Sequence, residues 1–249
     1  MKFIDNISVH EKDAVGMSAA EVYKCMIEEQ VVYLKKIDEK YAKTTYSVKR
    51  EAEVMLWLAD KLNVPKVIEY GQKENTEYLI MSELKGKSID DFLEDSTRYI
   101  KYLVNAIKLL HSVDISNCPF SSRVDMRLEE LDYLLKNNLA DTDISNWEDS
   151  TEFTDPQELY KWLCDNKPQE ELVFSHGDIS NLMIQKDEIF FFDLARCGIA
   201  DKWLDISMCV REIRNYYHNP DFEELFFEML GMEPDHEKIN YYLLLDEMF

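Results

Sequence analysis

The stretch FSHGDISNLMI (residues 174–184) sets an aspartate directly after His-Gly and an asparagine just beyond it, and FFFDLARCGIADKWLD (190–205) adds a second aspartate at the end of an aromatic run. ELVFS and EIFFFDL read as short strands bracketing the first motif. An aspartate at a strand end is also what a plain turn would carry. The preceding His176 and Gly177, and a second strand-end carboxylate at Asp193, set this pattern apart from a turn. Asp178 is then a candidate base, while Asn181 and Asp193 offer hard oxygen ligands suited to Mg²⁺.

Phosphoryl transfer from ATP needs further parts: a cation for the phosphates and a carboxylate to orient that cation. Working toward the amino terminus, VVYLKKI (31–37) alternates so that Val31, Tyr33, Lys35 and Ile37 share one strand face, and YLIMSE (78–83) is a second strand. Between them Val48, Ala52, Met55, Ala59 and Leu62 recur at helical spacing, from about residue 46 to 62. Lys35 on the strand and Glu51 on the helix form the expected cation–carboxylate pair. No GxGxxG precedes them; only Gly16 does, so the GMS turn (16–18) has to serve in place of a glycine-rich loop. Taken alone, Ser18 would also suit the cap of a helix starting near Ala19.

Beyond residue 88 most segments are helical. Ile100, Leu103, Val104, Ile107 and Leu110 form one apolar stripe, and Leu128, Leu131 and Leu135 another. DPQELYKWL opens a helix with Asp155 at the cap and Pro156 at its first position. Helices continue from Asp201 nearly to the end, one stopping at Gly231. The linker ELKGKS (83–88) separates an expected small sheet lobe (1–84), which binds nucleotide, from a larger helical lobe (85–249). The fold class is α+β.

With 249 residues, 46% of them hydrophobic, the chain can bury a sizeable core. A formal charge of −22 argues against nucleic acid, which needs a basic footprint, and favours cationic partners. Residues 117–170 hold 13 acids against 5 bases, a concentration suited to a polyamine. Cys25, Cys118, Cys164, Cys197 and Cys209 are widely spaced and never CxxC, and read as buried thiols in a reducing compartment. No apolar run approaches a membrane span. A cytoplasmic, non-membrane protein is expected.

Through GMSAAEVYK, YLKK, REAEVMLWL, VPKV, MSE, LHSVDIS, ELVFSHGD, DLARCGIADKWLDI and YYLLLDEMF, the sequence resembles the aminoglycoside 3′-phosphotransferases from about Gly16 to Phe249. The resemblance implies a bilobal protein-kinase-like fold and ATP-dependent phosphorylation of an aminoglycoside 3′-hydroxyl, a resistance activity. It implies that Lys35 holds the ATP phosphates and pairs with Glu51, that Met17 and Ser18 cover the nucleotide, and that Tyr33 flanks the adenine. Ser82 to Leu84 would contact the base through their backbone. Asp178 would be the base, and Asp193 and Asn181 the Mg²⁺ ligands. Asp141, Glu148, Arg211, Glu247 and the terminal carboxylate of Phe249 would bind the acceptor.

The chain departs from the family's loop, in which four residues separate the aspartate from the metal-binding asparagine. Here only Ile179 and Ser180 intervene. Either Asn181 reaches the metal from a tighter loop, or Ser180 or a water replaces it, or the site is impaired. Two other functions stay open on these grounds: a kinase of another small amino alcohol, and a nucleotide-binding protein with impaired catalysis.

Overall fold

A computed structural model of the chain describes residue 4 and residues 7–12, 19–148 and 151–249. In chain order its first strands are β1 (Ser8–Lys12), β2 (Glu21–Ile27) and β3 (Gln30–Asp38). Helix α1 (Val48–Leu58) follows, then β4 (Val67–Lys73), β5 (Thr76–Ser82) and β6 (Lys87–Ser88). Helices α2 (Ser96–His111), α3 (Val124–Lys136) and α4 (Pro156–Asp165) lead to β7 (Leu172–Ser175), β8 (Leu182–Gln185), β9 (Glu188–Phe191) and β10 (Gly198–Asp201). Helices α5 (Trp203–Tyr217), α6 (Pro220–Leu230) and α7 (His236–Asp246) complete the described chain, a mixed α+β architecture.

Internal contacts divide the chain into two units: Met1–Ile89 with Asn181–Cys197, and Asp90–Ser180 with Gly198–Phe249. The expected linker at 83–88 adjoins the first switch between them. Residues 181–197 were expected with 85–249, yet they group with the first unit because β6 pairs with β8, Lys87 opposite Ile184. Gly86 permits that pairing: its φ is +139°, and a Cβ there would come within 2.5 Å of the Ile184 carbonyl oxygen.

In the first unit, a five-stranded antiparallel sheet runs in the order β1-β2-β3-β5-β4. Val32 and Leu34 on β3 pack with Cys25, Tyr78 and Ile80. The alternate residues Lys35 and Ile37 are also buried, so β3 is covered on both faces. Residues 21–27 are strand, not the helix that Ser18 could have capped, because EVYKCMI pairs along its length with β3. Helix α1 is capped by Ser47, whose side chain accepts from the Arg50 N–H at 3.2 Å and donates to the buried Glu77 at 2.6 Å. The β8–β9 hairpin closes through Lys186 and Asp187, both at positive φ, a geometry that matches strand twist.

In the second unit, β7 and β10 form a two-stranded antiparallel sheet. Helix α2 buries Tyr99, Ile100, Leu103, Ile107 and Leu110. On α3 the buried stripe is Leu128, Leu131 and Leu134, with Leu135 only half-buried. Asp155 caps α4 by accepting from the N–H groups of Gln157 and Glu158, with Pro156 in the first turn, as the sequence suggests. Gly231 ends α6 at φ +78°. Cys25, Cys197 and Cys209 are buried, but Cys118 and Cys164 are half-buried, so the expectation of five buried thiols holds for three; none of the five is in a disulfide. Among the described residues no helix is long and apolar enough to cross a membrane.

Candidate active site

Lys35 sits mid-strand on β3, opposite Val22 and Leu79. Its Nζ lies 2.8 Å from Glu51 Oε2 and 2.5 Å from Asp193 Oδ1. Burial would pull this ammonium down, but the Asp193 and Glu51 carboxylates outweigh it and hold the group above its ordinary value. Glu51 is fully buried. Burial pushes its carboxyl up, with Lys35 working against that. The Glu51 Oε1 accepts the Leu194 N–H at 3.2 Å, so one carboxylate ties the lysine to the chain just past Asp193.

Asp193 stands at the exit of β9 with φ +57°, a left-handed conformation that aspartate tolerates better than most residues. Its side chain is 38% exposed, whereas that of Lys35 is 6% exposed. Asn181 lies across from this exit: its backbone carbonyl accepts the Phe192 N–H at 3.2 Å, continuing the β8–β9 register in which Leu182 faces Phe191. A carboxylate and an amide are hard oxygen donors, and Mg²⁺ characteristically takes one or two carboxylates with substrate phosphates and water. The residues of this unit therefore fit that ion.

Tyr33 is half-buried on β3, opposite Met81. Ser82 ends β5; its N–H donates to the Lys66 carbonyl and its hydroxyl accepts the Lys66 N–H, both at 2.9 Å. Leu84 follows, half-buried. Met17 and Ser18 lie outside the described residues.

In the second unit, β7 runs into Gly177 at φ +81° and then Asp178. Behind that turn the fully buried Asp205, in the first turn of α5, accepts the His176 N–H at 3.0 Å and the Gly177 N–H at 2.9 Å. Two backbone donors thus converge on one carboxylate and fix the turn. The His176 ring also serves the turn, as an acceptor: its Nδ1 takes the Asp178 N–H at 3.3 Å. Ser180 Oγ donates to Asp178 Oδ1 at 3.0 Å, so one residue of the short loop is spent orienting the candidate base. Asp201 is a brace, accepting from Lys238 and Tyr242.

The structure brings the acceptor candidates of this unit together. Both Glu247 oxygens accept the Glu148 N–H, at 3.1 and 3.2 Å, and Thr151 Oγ1 also donates to Glu247. Burial raises the Glu247 carboxyl, partly offset by those donors. Arg211 pairs with Asp246 at 2.7 Å and approaches Glu148 at 3.8 Å. Asp141 joins the group through its N–H, which donates to the Met248 carbonyl at 3.2 Å, and Phe249 lies under the Arg127 guanidinium, 3.5 Å from the ring centroid. Sequence reasoning passed over Asp246 as the partner of Arg211, and also Glu212, whose half-buried carboxyl is raised by burial, with the charge of Asp178 adding to it. The adjacency of Glu212 to Arg211 on α5 was the available signal.

The sequence profile described as phosphotransferase enzyme family matches residues 14–240. The chain is 64% identical over 250 residues to an aminoglycoside 3′-phosphotransferase of Campylobacter jejuni, covering 100% of both chains. It is 49% identical to an aminoglycoside 3′-phosphotransferase of Enterococcus faecalis, covering 96% of this chain and 92% of the relative. The crystal structure of an aminoglycoside-3′-phosphotransferase of type VIII superposes with a TM-score of 0.79 at 23% identity, over 96% of this chain and 93% of that one. The fold is shared with that structure.

Proposed function

The chain belongs to the aminoglycoside 3′-phosphotransferases of the phosphotransferase enzyme family, and we propose on that footing that it moves the γ-phosphoryl group of ATP to the 3′-hydroxyl of an aminoglycoside. The observation that carries this reading is the buried Lys35 held between Glu51 and Asp193, a cation fixed in one place for a triphosphate. Lys35 binds phosphate oxygens, and Glu51 keeps its ammonium aimed. Tyr33 flanks the adenine, Ser82 and Leu84 border it, and Met17 and Ser18 belong to the covering turn.

Asp193 and Asn181 hold Mg²⁺, which when bound neutralises charge on the transferring phosphate. Asp178 orients the acceptor hydroxyl and takes its proton as the new O–P bond forms, while the β-phosphate oxygen leaves as ADP. Ser180, by donating to Asp178 Oδ1, limits the rotamers of that carboxylate. Asp141, Glu148, Glu247 and Phe249, with Arg211 between Glu148 and Asp246, meet a polyamine through charge-assisted hydrogen bonds.

Cysteines outside any disulfide and a need for ATP suit the cytoplasm, and the activity is one of antibiotic resistance. Phosphorus NMR of kanamycin incubated with ATP, Mg²⁺ and the protein tests the proposal. A phosphomonoester resonance coupled to the proton at C3′ supports it, and unchanged kanamycin refutes it.

A further inference from the structure

The chain from Phe192 to Cys197 has neither helix nor strand geometry, so beyond the Phe192 N–H, which donates to the Asn181 carbonyl at 3.2 Å, its backbone is held by bonds outside the regular ladders. Ala195 is 4% and Cys197 0% exposed, which leaves little access to water for their carbonyl oxygens. Arg50 supplies the partners. Its Nε donates to the Ala195 carbonyl at 2.8 Å and its Nη2 to the Cys197 carbonyl at 2.9 Å.

Arg50 precedes Glu51 on α1, and Glu51 accepts the Leu194 N–H of the same segment. Consecutive helix residues therefore hold alternate polarities of one irregular stretch, an acceptor on its N–H and donors on its carbonyls. A Cys197 N–H to Leu194 carbonyl bond at 3.1 Å closes the stretch into a turn. The residue at its head is Asp193, at φ +57°. A left-handed non-glycine residue persists only where its surroundings over-determine it.

We infer that Arg50 is a positioning residue for Asp193: its planar guanidinium fixes the 193–197 turn, and the turn presents the Asp193 carboxylate to Lys35 and to the metal of a metal–nucleotide. The inference rests on the reading of Asp193 as a metal-holding group. Lysine cannot replace the fork, since a single ammonium does not span two carbonyls with the same geometry.

Calorimetric titration of ADP into the full chain, once with Mg²⁺ and once with EDTA, yields the factor by which metal strengthens nucleotide binding. Arg50→Met is expected to lower that factor by roughly 10- to 100-fold, as loss of an outer support does at metal sites. Its affinity in EDTA should stay near that of the unsubstituted protein, and Arg50→Lys should fall between. Asp193→Ala, run alongside, tests the reading underneath: if it retains the full metal factor, Asp193 does not hold the metal and both statements fall. If Asp193→Ala loses the factor but Arg50→Met keeps it, only the role of Arg50 is overturned. Equal weakening with and without metal also overturns it, because that is what a general packing role would give. Should Arg50→Met not fold, the same comparisons are made on Arg50→Lys.

Discussion

The Phe192 N–H donates to the backbone carbonyl of Asn181 at 3.2 Å, and so the short loop after Asp178 delivers Asn181 beside the strand exit that carries Asp193. With Ile179 and Ser180 alone in between, the loop uses Ser180 to orient Asp178 and then enters β8 at once. Two extra residues would loosen both ends. Inserting Gly-Asp after Ile179 is therefore expected to lower kcat by roughly 10²-fold, the scale of an ångström-level misplacement. An increase in kcat would mean that the short loop is an impaired form of the longer one.

Asp178→Asn keeps the shape of the side chain and the Ser180 contact but removes the proton acceptor. Turnover should fall by roughly 10²–10⁴-fold, with calorimetric nucleotide affinity nearly unchanged. Full activity in this variant would exclude Asp178 from the chemistry.

Removing Lys35 exposes what its partner costs. Glu51 is then a buried carboxylate without its cation, and Lys35→Met should destabilise the protein by about 3–5 kcal/mol in urea unfolding at neutral pH. Glu51 has a folded-state value raised above its ordinary 4.5 by burial, so its ionised form opposes folding. The loss in Lys35→Met should consequently shrink as pH is lowered and the carboxyl is neutralised. Lys35→Met with Glu51→Leu should recover much of the stability without recovering turnover. A destabilisation that grows on acidification would contradict this account.

These groups differ in how openly the sequence announced them. Lys35, Glu51 and the start of the α1 stripe (Val48, Ala52, Met55) were legible because strand alternation and helical spacing are local, but the stripe does not continue to Ala59 and Leu62, since α1 ends at Leu58 and Ala59 is exposed. Strand β2 was not legible as such: EVYKCMI becomes strand by pairing with β3, and pairing is settled across the hairpin. ELVFS and EIFFFDL were legible as strands but their partners were not: β7 pairs with β10 and β9 with β8. Arg50 escaped for the same reason, since its bond to the Ala195 carbonyl joins positions 145 residues apart. Periodicity does not report such contacts.

Acceptor binding should release protons. Burial raises the Glu247 carboxyl, so a larger share of it is protonated at mildly acidic pH than for an ordinary glutamate. A bound ammonium favours the ionised form and lowers that value. Calorimetry of kanamycin binding near pH 5.5 in buffers of different ionisation enthalpy should show net proton release, diminished in Glu247→Gln. Proton uptake would show that Glu247 does not meet the amine.

The most direct measurement is an ATP-coupled turnover assay with kanamycin and its 3′-deoxy analogue at matched concentrations. The account predicts sustained ADP formation with kanamycin and only background with the analogue, which retains the amines that bind but lacks the hydroxyl that reacts. Equal turnover with both would place the transfer at another hydroxyl. Background rates with both would contradict the assignment of this chain as an aminoglycoside 3′-kinase.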